Sequence, residues 1–143
     1  MADVLFTSLR RIATPGGDVF HGMKSSDPGF SGFGEAYFST VDPGYVKGWK
    51  RHSRMTLNLV VPAGKVQIAV IKDEGENLQN FFLGPDQSAT YGRLTVPPGY
   101  WVAFGGAHER TSVMLNLASL PHDPNESETC SLATFPWAWV DKN

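Results

Sequence analysis

Residues 55–61 alternate Met55, Leu57, Leu59 and Val61 against Thr56, Asn58 and Val60. This is the two-residue period of a strand with one face turned to a core. The same rhythm runs through 65–72, with Val66, Ile68 and Val70 on one side. It recurs in 111–119, where Val113, Leu115 and Leu117 oppose Met114, Asn116 and Ala118. Stretches 33–41, 45–52, 92–97 and 100–104 also read as strands. Residues 5–14 and 17–26 read as a hairpin around Thr14-Pro15-Gly16-Gly17. Turn signals stand between the strands at Asp42-Pro43-Gly44, Pro62-Ala63-Gly64 and Pro97-Pro98-Gly99. The short link at Gly64 predicts that 55–61 and 65–72 are hairpin neighbours. Residues 73–90 are polar around Phe81-Phe82-Leu83 and read as a long loop of functional interest. The tail Phe135-Pro136-Trp137-Ala138-Trp139 is too aromatic for a disordered end and is expected to pack on the body. No segment sustains a 3.6-residue period, and no internal repeat is present. Eight or more short strands separated by turns predict an all-β sandwich or barrel. Of these, a jelly-roll barrel spanning 1–143 as a single domain is the choice. Such barrels hold small ligands in their mouths, where polar side chains stand against an apolar lining.

Composition narrows the function more than the fold. Twelve Lys and Arg stand against fourteen Asp and Glu, which argues against an electrostatic grip on nucleic acid or acidic lipid. A single cysteine, Cys130, excludes an internal disulfide. The first residues lack a basic segment followed by an apolar run, and no apolar stretch approaches membrane-spanning length. A soluble cytoplasmic protein is the expectation.

Chemistry concentrates in Lys47-Gly48-Trp49-Lys50-Arg51-His52, which precedes the apolar strand 55–61. Strand alternation sets Gly48, Lys50 and His52 on one face and Lys47, Trp49 and Arg51 on the other. A strand that points Lys and His into one space is a solvated edge or the wall of a polar pocket.

These residues carry a resemblance to the cupin jelly roll. Gly48-Trp49-Lys50-Arg51-His52 through Gly64 is similar to the first cupin pattern, a Gly followed by His-x-His and closed by a Gly. Pro97-Pro98-Gly99-Tyr100-Trp101-Val102 is similar to the second, Pro-x-Gly-x-x-His, with Val102 in place of the His. The closer resemblance is to the dTDP-4-dehydrorhamnose 3,5-epimerase (RmlC-like) branch, over about residues 15–139. There, Arg-Gly-Leu-His-x-Gln matches residues 47–52. Gln-x-Asn-x-Ser matches Glu35-Ala36-Tyr37-Phe38-Ser39. Pro-x-Gly-Phe-Ala-His-Gly-Phe matches the segment from Pro97 to Phe104. His122-Asp123-Pro124-Asn125-Glu126 and the Trp-bearing tail resemble the closing segments. The family's general-base His falls on Lys50, with His52 two residues on. Its acid Tyr falls on Asn116. Its phosphate-binding Lys and the Asp that supports its His have no evident counterpart.

The resemblance implies a homodimeric enzyme acting on a nucleotide-linked (CDP or dTDP) 4-keto-6-deoxyhexose. The expected reaction is inversion of C3 through an enolate, in deoxysugar synthesis for a surface polysaccharide such as O-antigen. The alternatives are a 3,4-ketoisomerase of the same substrates and a noncatalytic sugar-nucleotide binder. His52 is the candidate base, since imidazole titrates near neutrality. Lys50 is the candidate enolate cation or, if desolvated, a base. Tyr37 is the candidate proton donor, with Tyr91 as a second phenol. Candidate substrate-binding side chains are Glu35, Lys47, Arg54, Asn58, Tyr91, Arg93, Trp101, Asn116 and His122. Asn58 and Asn116 stand out as amides in apolar strands, although buried amides more often satisfy the backbone. Glu74, Glu76 and the acidic run from Asp123 to Glu128 read as solvated loop charge. No metal and no cofactor is expected, because Lys50 and Val102 stand where metal-binding cupins place His.

Overall fold

The computed structural model describes residues 2–72, 78–86 and 89–139. Twelve strands run in chain order: β1 Leu5–Ser8, β2 Arg11–Ile12, β3 Val19–Phe20, β4 Glu35–Val41, β5 Val46–His52, β6 Leu57–Ala63, β7 Val66–Ile71, β8 Gln79–Leu83, β9 Gly92–Val96, β10 Trp101–Gly106, β11 Ser112–Ala118 and β12 Ser127–Thr129. Two 3-10 turns, Pro124–Glu126 and Leu132–Thr134, are the only helical elements among the described residues. None of these is long and apolar enough to cross a membrane.

Two five-stranded sheets face each other, ordered β1-β9-β6-β11-β4 and β12-β5-β10-β7-β8. This is the all-β jelly roll that the alternation predicts. The inner faces meet in a core of Leu57, Leu59 and Val61, Val66, Ile68 and Val70, Leu94 and Val96, with Val102 and Met114. Each such side chain stabilises the fold by about 1.5–3 kcal/mol when fully buried.

The turn at Gly64 does not close a hairpin. β6 and β7 lie in different sheets, so the link is a corner of the roll. Gly64 takes φ +87, and a Cβ there would sit 2.2 Å from Ser112 Oγ. A tight turn that crosses between sheets looks like a hairpin turn in sequence, because both need a residue at positive φ. β5 and β6, consecutive in the chain, likewise lie in different sheets. At the start of the chain, only β2 and β3 form the expected hairpin, while β1 leaves to pair with β9 (Leu5↔Thr95). Within the stretch read as a loop, Gln79–Leu83 is a strand paired with β7 (Val70↔Gln79). Glu74 and Glu76 lie outside the described residues.

Both sheets are covered on their outer faces as well. The segment around 21–29 lies over β9 and β6, where Asn58 Nδ2 donates to Gly29 O at 3.1 Å. The tail packs on the other sheet, as expected. Trp49, Ala69, Ile71, Trp101, Ala103 and Phe135 form a second apolar cluster there, with Trp137 and Trp139 against it. Burial on two sides explains why β7 and β9 are buried along their full length.

Candidate functional site

A cleft of about 340 Å³ opens between the sheets. One wall is β5 and β10, with Thr129 of β12; the other is β4, β6 and β11. Its floor is apolar, from Leu57, Leu59, Val102, Phe104 and Met114, and its polar groups are Tyr37, Ser39, Lys47, Lys50, His52, Asn116 and Thr129.

The β5 wall departs from strict alternation. Val102 pairs with Lys50 but Phe104 pairs with Lys47, so two residues of β10 span three of β5. Such a bulge shifts the facing pattern by one residue. Lys47 therefore joins Lys50 and His52 at the cleft, instead of taking the opposite face that alternation assigns it. Gly48 sits in the bulge at φ +137, where a Cβ would lie 2.6 Å from Ala103 Cβ. Trp49 turns its indole outward into the tail cluster, and its Nε1 donates to Leu132 O at 3.3 Å.

His52 is held from behind by Glu126. Nδ1 lies 2.5 Å from Glu126 Oε1, and the second oxygen, Oε2, accepts from the backbone N–H of Arg54 and of Met55, each at 2.9 Å. Glu126 is only 3% exposed. Burial pushes its carboxyl up, but the bond from His52, the two backbone bonds and the His52 charge outweigh that and hold it at about 2. An ionised carboxylate can only accept, so Nδ1 carries the hydrogen and Nε2 is the nitrogen left for chemistry. Glu126 is thus a buried partner rather than the solvated charge that its acidic neighbourhood suggested. It also supplies the support for the His that the comparison of motifs left without a counterpart. A signal for this was present: Asp123-Pro124 caps a helical turn, and Asp123 accepts from Asn125 N at 3.0 Å. That turn rolls Glu126 inward, while Asp123 and Glu128 remain exposed in ion pairs with Arg54 and Arg51.

Opposite His52, Tyr37 of β4 and Asn116 of β11 are register partners, with Asn116 Nδ2 donating to Tyr37 Oη at 3.0 Å. Lys47 Nζ donates to Thr40 O at 2.9 Å. The Lys50 ammonium has no hydrogen bond or ion pair among the described residues, although its backbone is held in the β5 ladder opposite Val102 and Thr129. With two ammonium groups and no carboxylate, the lining suits an anionic ligand.

The structure brings His52, Lys50, Tyr37, Lys47 and Asn116 to one cleft and leaves the other candidates elsewhere. Asn58 faces outward and accepts from Thr95 Oγ1 at 2.6 Å. Arg93, 0% exposed, lies under the 21–29 segment. It donates to Gly22 O at 2.7 Å and Pro28 O at 3.1 Å, with Asp27 Oδ2 at 3.4 Å. The Tyr91 hydroxyl donates to His21 O at 2.6 Å, and burial pushes its phenol up. Trp101 lies in the outer cluster beneath the Arg51 guanidinium, 4.6 Å from its ring centroid. Glu35 Oε1 accepts from the backbone N–H of His122 at 2.9 Å, a tie between β4 and the closing segment. Arg54 pairs with Asp123 at 3.3 Å on the surface. None of these seven side chains lines the cleft. Among the described residues, no three His, Cys, Asp or Glu side chains gather as metal ligands.

The dTDP sugar isomerase from Desulfovibrio desulfuricans G20 superposes on this structure with a TM-score of 0.86. It is 34% identical over 95% of this chain and 90% of its own. The chain belongs to the RmlC-like dTDP-sugar isomerase family. Its enzyme class is that of the isomerases. More distant members of this fold include QdtA, a sugar 3,4-ketoisomerase from Thermoanaerobacterium thermosaccharolyticum solved with TDP. It has a TM-score of 0.71 and 24% identity over 87% of this chain and 86% of that one. The dTDP-4-dehydrorhamnose 3,5-epimerase from Sulfolobus tokodaii reaches a TM-score of 0.77 at 15% identity, over 94% and 80% of the two chains. No protein-family model and no curated protein matches the sequence.

Proposed function

We propose that the protein inverts C3 of a nucleotide-linked 4-keto-6-deoxyhexose through an enolate, with His52 as the base. The carrying observation is the His52–Glu126 bond on one cleft wall, facing a phenol on the other. A C4 ketone acidifies the neighbouring C3–H because the carbanion spreads onto oxygen. His52 Nε2 takes that proton, and ionised Glu126 stabilises the imidazolium that forms. Lys50, two residues along the same strand, offsets the charge that develops on the enolate oxygen. Lys47 adds a second positive charge for the diphosphate. Tyr37 returns a proton from the opposite face of the ring. The relative at 34% identity is named a dTDP sugar isomerase, which favours dTDP over CDP as the carrier.

The assembly we propose is a homodimer. β4 is the edge of its sheet, and its outer side chain Phe38 is 69% exposed, with Phe33 and Tyr45 comparably open. Light scattering on a column tests it: a Phe38→Arg variant should run as a monomer. The setting we assign is cytoplasmic deoxysugar synthesis for a surface polysaccharide such as O-antigen.

Proton NMR in deuterated buffer with dTDP- and CDP-4-keto-6-deoxyglucose tests the reaction. Loss of the C3 proton signal with an inverted product is expected, and His52→Gln should abolish it. A carbonyl moved to C3 would make the protein a 3,4-ketoisomerase. Loss at both C3 and C5 would extend the reaction to double inversion. No exchange with either compound would leave a noncatalytic binder.

A further inference from the structure

Tyr37 and Asn116 face each other in the β4–β11 ladder. A carboxamide has one accepting oxygen and a donating nitrogen, and a phenol has one hydrogen and two lone pairs. The orientation of the Asn116 amide is settled by its other neighbour. The backbone N–H of Asn58 can only donate, and it lies 3.1 Å from Asn116 Oδ1. Oδ1 therefore faces β6, and Nδ2 is left to face Tyr37, to whose oxygen it donates at 3.0 Å. The phenol oxygen is thus an acceptor on its β11 side, so its own hydrogen must leave in another direction. Among the described residues nothing else bonds that hydroxyl. The cleft that Tyr37 lines is the open direction. Asn116 itself is 4% exposed, and both ends of its amide are engaged by the protein.

We infer that Asn116 is a positioning residue that aims the Tyr37 proton into the cleft, so that proton removal at C3 ends in inversion rather than simple exchange. The inference rests on the C3 isomerase reading above. His52 removes the C3 proton and becomes an imidazolium, and the electron pair moves onto the C4 oxygen. When the enolate collapses, C3 takes the hydroxyl proton of Tyr37 from the opposite wall. The resulting phenolate keeps the bond from Asn116 Nδ2. Solvent then protonates the phenolate and accepts the proton from His52, so the reaction is balanced with no co-reactant. A proton returned by His52 instead gives exchange without inversion.

Asn116→Asp tests this directly. A carboxylate still accepts from Asn58 N–H, but it also captures the Tyr37 hydrogen and turns it out of the cleft. In deuterated buffer, exchange at C3 should stay within a few-fold of wild type while inverted product falls about 100-fold. Tyr37→Phe should show the same split, which keeps the inference falsifiable if Asn116→Asp fails to fold. Asn116→Asp should cost inversion nothing further in the Tyr37→Phe background. A purely structural role would lower exchange and inversion together, and that result in both variants overturns the inference. Inversion that keeps pace with exchange in Tyr37→Phe also overturns it. Absence of exchange, or carbonyl transfer without inversion, in the wild-type protein removes the C3-inversion reading first and this inference with it.

Discussion

Glu126 and His52, 74 residues apart in the chain, share a 2.5 Å hydrogen bond at the back of the cleft. The carboxylate has no spare capacity on its other side, where Oε2 takes two backbone N–H groups. Glu126→Gln has one oxygen for partners that needed two. If that oxygen keeps the backbone N–H groups, the amide nitrogen faces His52, and Nδ1 must become the acceptor. The hydrogen then moves to Nε2, and the base is lost. Exchange at C3 should fall on the order of 100-fold or more, measured by NMR in deuterated buffer. Wild-type exchange in this variant would remove Glu126 from the reaction.

The same carboxylate sets an acid limit on stability. Its pKa is lowered from 4.5 to about 2 by the bonds and charge that outweigh its burial. A depressed carboxyl contributes its full stabilisation above the unfolded value and loses it as pH falls through the folded one. The loss should therefore fall between about pH 4.5 and pH 2, on the order of 3 kcal/mol for one group. Urea midpoints at pH 6, 4 and 3 should decline over that range. The decline should be shallower for Glu126→Gln, which has nothing to protonate there.

Lys50 and Lys47 separate by their distance from His52 along β5. Lys50→Met should lower kcat about 100-fold with KM within a few-fold, since an enolate cation acts only as charge develops. Lys47→Met should raise KM with kcat nearly unchanged, and that effect should shrink at high salt. Steady-state kinetics at two ionic strengths checks both, and a KM effect alone for Lys50 would reassign it to the diphosphate.

The fold was legible wherever one residue in two was apolar. Leu57, Leu59 and Val61 mark β6, and Val66, Ile68 and Val70 mark β7, without ambiguity. Which strands pair was not legible, because Gly64 looks the same in a corner as in a hairpin. β8 was hidden because a two-sided polar setting masks the short run Phe81-Phe82-Leu83. For the site, His52 and Lys50 could be picked from one strand face and Tyr37 as a phenol in a matched segment, and the structure places all three at the cleft. Asn58 and Arg93 misled, because a polar residue in an apolar strand also marks a sheet whose outer face is covered by its own chain. Lys47 was named as a candidate, but only the bulge, which a strand pattern does not announce, turns it to the cleft. Glu126 needed a tertiary contact between distant segments.

That contact depends on how the closing segment is anchored. β12 pairs with β5 through Ser127↔His52, and Cys130 and Trp49 exchange backbone bonds at 3.1 and 3.3 Å. Beyond them, Phe135 packs edge-on to Trp49 at 5.4 Å and against Trp101 at 5.9 Å. Phe135→Ala opens a void beneath the tail, with a cost of about 3 kcal/mol. Because the same segment carries Glu126, the loss should not be confined to stability. Hydrogen exchange should quicken at the backbone amides of Cys130 and Met55, which the segment protects through Trp49 O and Glu126 Oε2. Turnover should fall as the His52–Glu126 bond opens part of the time. A Phe135→Ala protein with a lowered melting temperature but wild-type turnover and unchanged protection at Met55 would show that Glu126 holds its place without the tail.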